Sequence, residues 1–351
     1  MEAEYFKGRG AQIQSGNRFL QNRVVTDHIE GLDEELLLPP KTEIRIERSK
    51  TIVNPVKSPD LGLSFSLNPY QGCEHGCIYC YARNSHEYYG YTAGLDFETK
   101  LMVKPDAPKL LEKQLLNPSW KVAPISVSGN TDCYQPLEKE MGITRELLKV
   151  FARYRHPVGM ITKNSLILRD LDLLQDLAKD SLVQVYISIT TLDESLRRKM
   201  EPRTASAEKR LKTIEALAKA GVPVAVMNAP IIPGLNNQET PAILKAASDH
   251  GALSAGMTVV RLNGKLEEIF RDWLEKNFPD RCQKVMNQIA ELHGGKVNDT
   301  EFGRRMKGSG VLAESIQTLF RFAKKTHFAG RAMPAFDLGK FRRGGNFSLE
   351  F

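Results

Sequence analysis

The stretch Gly72-Cys73-Glu74-His75-Gly76-Cys77-Ile78-Tyr79-Cys80-Tyr81 decides how this chain is read. Cys73, Cys77 and Cys80 lie close enough together to wrap one compact metal cluster. A cube of four irons and four sulfides ordinarily takes four cysteines. Three thiolates leave one corner for a reactant, as the open coordination position does at a catalytic zinc. The same residues allow a structural zinc site, with His75 or His86 as fourth ligand, or inert buried thiols. His75 sits between two of the cysteines, an awkward place from which to complete a tetrahedron. The remaining thiols, Cys133 and Cys282, are isolated in sequence. No secretory signal peptide points to an oxidising compartment, and a cytoplasmic protein is expected.

Outward from the cysteines, short apolar runs alternate with amphipathic stretches, the pattern of repeated βα units. Strands are predicted over 65–71, 125–128, 158–162, 183–190, 224–229 and 257–261, and helices near 108–116, 144–154, 168–179, 207–220 and 239–250. Leu211, Ile214, Leu217 and Ala218 share one helical face, and Gly221 with Pro223 ends that helix. Six strands with five intervening helices give an α/β fold, a partial (β/α)6 TIM-like barrel. In such barrels the chemistry collects on loops after the strand C-termini. The three cysteines follow the first strand directly. Residues 1–60 read as an N-terminal extension with an edge strand near 43–47, residues 61–265 as the core domain, and 266–351 as a basic, partly helical C-terminal segment.

The later strand ends are polar. Asn130, Thr131 and Asp132, with Cys133, follow the second strand in a small glycine-containing turn that allows close approach to a ligand. Lys163 ends the third strand, where a buried ammonium is costly unless an anion meets it. Ser188 and Thr190 end the fourth, and Asn228 opens a turn-rich loop after the fifth.

The cysteine spacing, with Tyr79 before the last ligand, resembles the signature of radical S-adenosylmethionine (SAM) enzymes. The passage Asn68-Pro69-Tyr70-Gln71-Gly72-Cys73 through Cys80-Tyr81-Ala82-Arg83, with Thr131-Asp132 and Thr162-Lys163, resembles the spore photoproduct lyase-like branch over residues 63–262. The resemblance implies a [4Fe-4S] cluster on Cys73, Cys77 and Cys80 whose unique iron chelates SAM. Reductive cleavage would then yield a 5′-deoxyadenosyl radical, with electrons from a flavodoxin- or ferredoxin-type donor. By the same resemblance, Asn130, Thr131 or Asp132 receives the methionine amine, Lys163 the carboxylate, and Ser188 and Thr190 the ribose. Asn228 belongs to the adenine-framing loop, Tyr79 lies against SAM, and Tyr81 enters a hydrogen-atom relay. The lyase thiol that returns a hydrogen atom corresponds to Gly129 here, which makes Cys133 a substitute to test.

Charge bears on the substrate. The formal net charge is +7, and residues 301–351 hold ten Lys and Arg against four Asp and Glu. Phe320, Phe322, Phe328, Phe336, Phe341 and Phe347 are interleaved with them. Cations on phosphates and rings on bases are the logic of nucleic-acid contact, although phenylalanines also simply dock. Arg197, Arg198, Lys199 and Arg203 extend that stripe or form a solvated helix face. Residues 83–89 line the substrate mouth or start a polar helix, and Glu98 is either a ligand-side carboxylate or a surface acid. No apolar run reaches the roughly 18 residues that span a bilayer. Nucleic acid, damaged DNA included, leads as substrate. A peptide, protein or small metabolite, and a non-catalytic iron-sulfur or metal-binding protein, are the alternatives.

Overall fold

Strand-forming runs and their helical crossovers assemble in chain order. The computed structural model describes residues 5–20 and 41–344. Among these, the strands are β1 (Glu43–Ile46), β2 (Val53–Pro55), β3 (Phe65–Leu67), β4 (Tyr70–Gln71), β5 (Lys100–Val103), β6 (Ile125–Val127), β7 (Val158–Thr162), β8 (Val183–Ser188), β9 (Val224–Ile231) and β10 (Ala255–Val259). A seven-stranded sheet runs in the order β10-β9-β8-β7-β6-β3-β2. Its neighbours from β3 to β10 pair in parallel, and β2 caps one edge antiparallel. Consecutive parallel order with helical crossovers is the partial (β/α)6 barrel, open between β10 and β2.

Local sequence explains each unit. In β8, Val183, Val185 and Ile187 are buried while Gln184 and Tyr186 are partly exposed, the period-two pattern of a strand. Helix Ala207–Lys219 starts at Ser206, whose hydroxyl accepts from the Lys209 N–H, and buries Ile214 and Leu217. It stops where Gly221 takes φ +74.

Two elements differ from the sequence reading. The 65–71 strand divides, because Pro69 has no N–H for a ladder. Its first half stays in the barrel. The second, β4, joins β5 and β1 in a separate three-stranded sheet. That sheet carries the cysteine loop at the end of β4.

The C-terminal segment is part of the core. From helices Leu266–Asn277 and Cys282–Leu292, Phe270, Trp273 and Ile289 bury against Ile78, Met200 and Ile232. The cysteine loop is therefore buttressed by residues about 200 positions away. Phe320 and Phe328 are buried, and Phe341 packs edge-on against His156 at 5.3 Å. These rings dock on the body, which is the second of the two alternatives composition left open; Phe322 alone of those named here is strongly exposed among the described residues, at 70%. Phe347 lies outside the described residues. No helix among the described residues is long and apolar enough to cross a membrane.

Candidate active site

The cysteine loop is held from several sides. Gly72 and Gly76 take φ +79 and +67, left-handed values that favour glycine. Cys73 N–H donates to the Phe97 carbonyl at 2.9 Å, Glu74 N–H to Gln135 Oε1 at 2.9 Å, and Ile78 N–H to the Met200 carbonyl at 3.0 Å. Arg83, fully buried, donates through Nε to the Cys77 carbonyl at 3.0 Å and through Nη2 to Glu98 Oε1 at 2.5 Å. Glu98 also accepts the N–H groups of Gly10 and Ala11, at 3.0 and 2.8 Å. Residues 81–89 form a 3-10 helix, as the polar-helix reading of this stretch expects, though it is capped by neither Asn84 nor Ser85. Glu98 is neither a ligand-side carboxylate nor a surface acid, since Arg83 and Glu98 are a buried ion pair that ties the N-terminal segment to the cysteine loop.

Cys73 and Cys77 are buried, Cys80 is partly so, and none is in a disulfide. Burial pushes all three thiols upward, Cys77 to about 12 with the Glu201 carboxylate adding to the effect and Lys163 opposing it. A bound metal cation would offset this cost by stabilising the anionic form. Among the described residues, no three His, Cys, Asp or Glu side chains close around a single metal ion. Zinc draws its donors to about 2.3 Å from one point, whereas a cube distributes its irons over separate corners. His75 is engaged elsewhere, Nδ1 with Asp132 Oδ2 and Nε2 with Asn164 Nδ2, each at 3.3 Å. The donor set fits a cluster with three protein thiolates.

The three thiols share one cavity of about 340 Å³ with Tyr79, Tyr81, Asn130, Thr131, Asp132, Lys163 and Ser188. Asp132 is locked in place. It accepts from Thr162 Oγ1 at 2.7 Å and from the Lys163 and Tyr134 N–H groups at 2.8 and 2.9 Å. Burial alone would raise its carboxyl, but His75 and these N–H donors hold it at about 2. Asn130 donates to Gln71 Oε1 and Ser85 Oγ at 3.1 and 3.2 Å, and Thr131 Oγ1 to the Tyr70 carbonyl at 2.7 Å. The Lys163 ammonium lies 5.8 Å from the Tyr79 ring centroid. Burial would lower its pKa, yet the negative partners Cys77 and Glu201 leave it raised.

Sequence reasoning missed the polar layer beneath. Glu201 and Arg210 form a fully buried ion pair, and the Tyr79 hydroxyl donates to the same carboxylate. Thr190 Oγ1 donates to Glu201 Oε1 at 2.5 Å. Burial opposes the charge on Glu201, but Arg210, Lys163 and these hydroxyls hold it near about 2. Thr190 is thus committed to Glu201 and does not line the cavity. Glu201 could have been found only by noticing an acid close to the basic cluster.

Three further expectations are corrected. Cys133 is fully buried and packs in the barrel core, outside the cavity lining, with its N–H on Ser128 Oγ. Strand alternation turns Asn228 away; its Oδ1 accepts from Thr240 Oγ1 at 2.9 Å, while Met227 and Ala229 face the cavity. The basic cluster is paired: Arg197 donates to the Glu201 and Thr204 carbonyls, Arg198 to Glu194, and Arg203 meets Glu74 at 2.9 Å. At the mouth stand two arginines that were not singled out. Arg305 is bound to Asp60 Oδ2 and Ser58 Oγ, each at 2.6 Å, and Arg261 lines the same cavity without such partners among the described residues.

Comparison with known proteins agrees with this geometry. The family model of the radical SAM superfamily matches residues 67–247. An uncharacterized protein of Mycobacterium tuberculosis is 31% identical over 235 residues, 66% of this chain and 68% of its own length. One from Methanocaldococcus jannaschii is 30% identical over 250 residues, 71% and 89% of the two chains. Among solved structures, spore photoproduct lyase complexed with dinucleoside spore photoproduct superposes with TM-score 0.61 over 86% of each chain, at 15% identity. A lyase variant with bound AdoMet and dinucleoside spore photoproduct gives 0.60 over 88% of each chain, at 15% identity. The chain belongs to the radical SAM superfamily, whose cofactors are a [4Fe-4S] cluster and SAM.

Proposed function

We propose that this radical SAM chain acts on nucleic acid. The observation that carries the reading is the charge of the cavity: among the described residues Asp132 is its sole acidic lining residue and is already hydrogen-bonded, while Lys163 and Arg261 lie on the wall. Such a cavity suits an anionic substrate. The overall charge of +7 and a fold shared with a lyase solved with a dinucleoside lesion support the same class.

Cys73, Cys77 and Cys80 would hold the cluster and leave one corner to SAM. When bound, the cluster and SAM would supply the hydrogen-abstracting radical chemistry of the superfamily. The protein does the rest by placement. Lys163 is positioned to meet the SAM carboxylate, with Asp132 fixing its backbone through the N–H bond at 2.8 Å. Asn130 and Thr131 present polar groups for the methionine end, and Ser188 a hydroxyl for the ribose. Ile161, Met227, Ala229, Val259 and Val260 supply an apolar wall that excludes water. Tyr81, half exposed at the mouth, donates its hydroxyl to the Gly129 carbonyl. Burial pushes that phenol to about 12, so it keeps its hydrogen at neutral pH. With Gly129 at the lyase thiol position and Cys133 outside the cavity, spore photoproduct cleavage itself is not proposed. A hydrogen relay through Tyr81 is. A flavodoxin or ferredoxin in a reducing, cytoplasmic setting suits the free thiols.

The test is anaerobic incubation of reconstituted protein with SAM and dithionite, with and without oligonucleotides. Nucleic acid should raise 5′-deoxyadenosine formation. If three or four phosphates are neutralised, log affinity should fall against log salt with a slope of about −3 to −4. A flat salt dependence, with stimulation by peptides instead, would move the protein to the peptide-modifying class.

A further inference from the structure

We infer that Arg261, at the cavity mouth, is the receptor for a backbone phosphodiester of the substrate strand, next to the nucleotide that reacts. The inference rests on the nucleic-acid reading and assigns it one residue. Arg261 follows β10 directly, so it sits on the same barrel rim as the cysteines, and it lines the same cavity. Its guanidinium is partly buried, yet it has no hydrogen-bond or ion-pair partner among the described residues. The buried arginines elsewhere are committed: Arg83 to Glu98, Arg155 to Asp176 and Asp180, Arg197 to Glu194, and Arg210 to Glu201.

The nearby carboxylates do not serve Arg261. Asp60 is taken by Arg305 at 2.6 Å and by the Gly303 N–H, and Asp299 by Arg304. Arg305 adds a second positive charge, which together with desolvation makes the free guanidinium costly to keep. Such a group is satisfied by an anion arriving from solvent. SAM brings one carboxylate, and Lys163, on the wall of the same cavity, is the cation assigned to it. A second unpaired cation at the mouth therefore calls for a second anion, and the incoming molecule is the substrate. A planar guanidinium with paired N–H donors matches two phosphate oxygens better than a lysine would. Tyr81 lines the same cavity as Arg261, so a phosphate held there shares the cavity with the hydrogen-bearing phenol.

The experiment measures fluorescence anisotropy of a fluorescein-labelled single-stranded oligothymidylate against the reconstituted holoprotein with SAM, over a salt series. The variants are Arg261→Gln, Arg261→Lys, and Lys212→Gln as a control on an exposed helix face. Arg261→Gln should bind about tenfold more weakly and lower the salt slope by about 1. Arg261→Lys should fall between it and wild type, and Lys212→Gln should match wild type. Circular dichroism and iron content show that each variant folds and loads its cluster. Wild-type affinity and slope in Arg261→Gln would overturn the assignment while the nucleic-acid reading stands. Failure of the wild type to bind any oligonucleotide would overturn both. A loss of SAM affinity in Arg261→Gln as large as the loss for oligonucleotide would show that the guanidinium serves the cofactor instead.

Discussion

At the residue scale, Gly10 connects the N-terminal segment to the chemistry. A Cβ at this position would lie 1.7 Å from the Gly76 carbonyl oxygen, a backbone atom that no rotamer change can move. Gly10→Ala must therefore displace either the N-terminal segment or the cysteine loop. Iron bound after anaerobic reconstitution should fall by at least about half, with a stability loss of about 1–3 kcal/mol from overpacking. Gly16→Ala is the control, since its Cβ would meet only Lys265 Nζ at 3.8 Å. Full iron loading in Gly10→Ala would show that this segment does not brace the loop. The three candidate cysteine ligands could be picked out in sequence because their spacing is local chemistry. Glu98 and Glu201 were not. Each becomes functional through partners that only the fold supplies, such as Gly10, 88 residues from Glu98.

At the element scale, the barrel strands were legible because parallel strands buried on both faces must be apolar and β-branched. The small sheet was not, since its strands are short and Lys100–Val103 reads equally as the end of a loop. Docking of the C-terminal segment on the start of β7 was also invisible to composition. There Trp120 Nε1 donates to His156 Nε2 at 3.2 Å, and Phe341 covers the imidazole. Burial lowers the His156 pKa from 6.5 to about 4. The folded state therefore holds it neutral, while the unfolded chain binds a proton below about 6.5. The stability tied to neutral His156 is fully present above that value and is lost as pH falls toward 4. Between pH 7 and pH 5 the loss should be about 2 kcal/mol. Urea unfolding followed by tryptophan fluorescence checks this: His156→Gln should show a pH dependence smaller by that amount. Equal pH dependence in the two proteins would mean that the imidazole titrates normally.

At the scale of the whole molecule, two of the apolar clusters carry most of the buried side chains. One fills the barrel, and the other joins the C-terminal helices to Cys77, Ile78 and Tyr79. A cysteine loop fixed by so many remote parts would hold a bound cluster in a set position relative to the strand ends that line the same cavity. Composition overstated the basic tail as a binding surface, because a list of residues cannot tell a docked phenylalanine from an exposed one. What the fold offers instead is a cavity with one committed acid among its described lining residues and the cations Lys163 and Arg261 on its wall.

The central claim is that three thiolates hold a cluster whose remaining corner binds SAM productively. Anaerobic protein loaded with about four irons per chain, reduced with dithionite and given SAM, should release 5′-deoxyadenosine and methionine, and Cys77→Ala should release neither. Iron-loaded wild-type protein that leaves SAM intact under these conditions, or cleavage that persists in Cys77→Ala, would contradict the account.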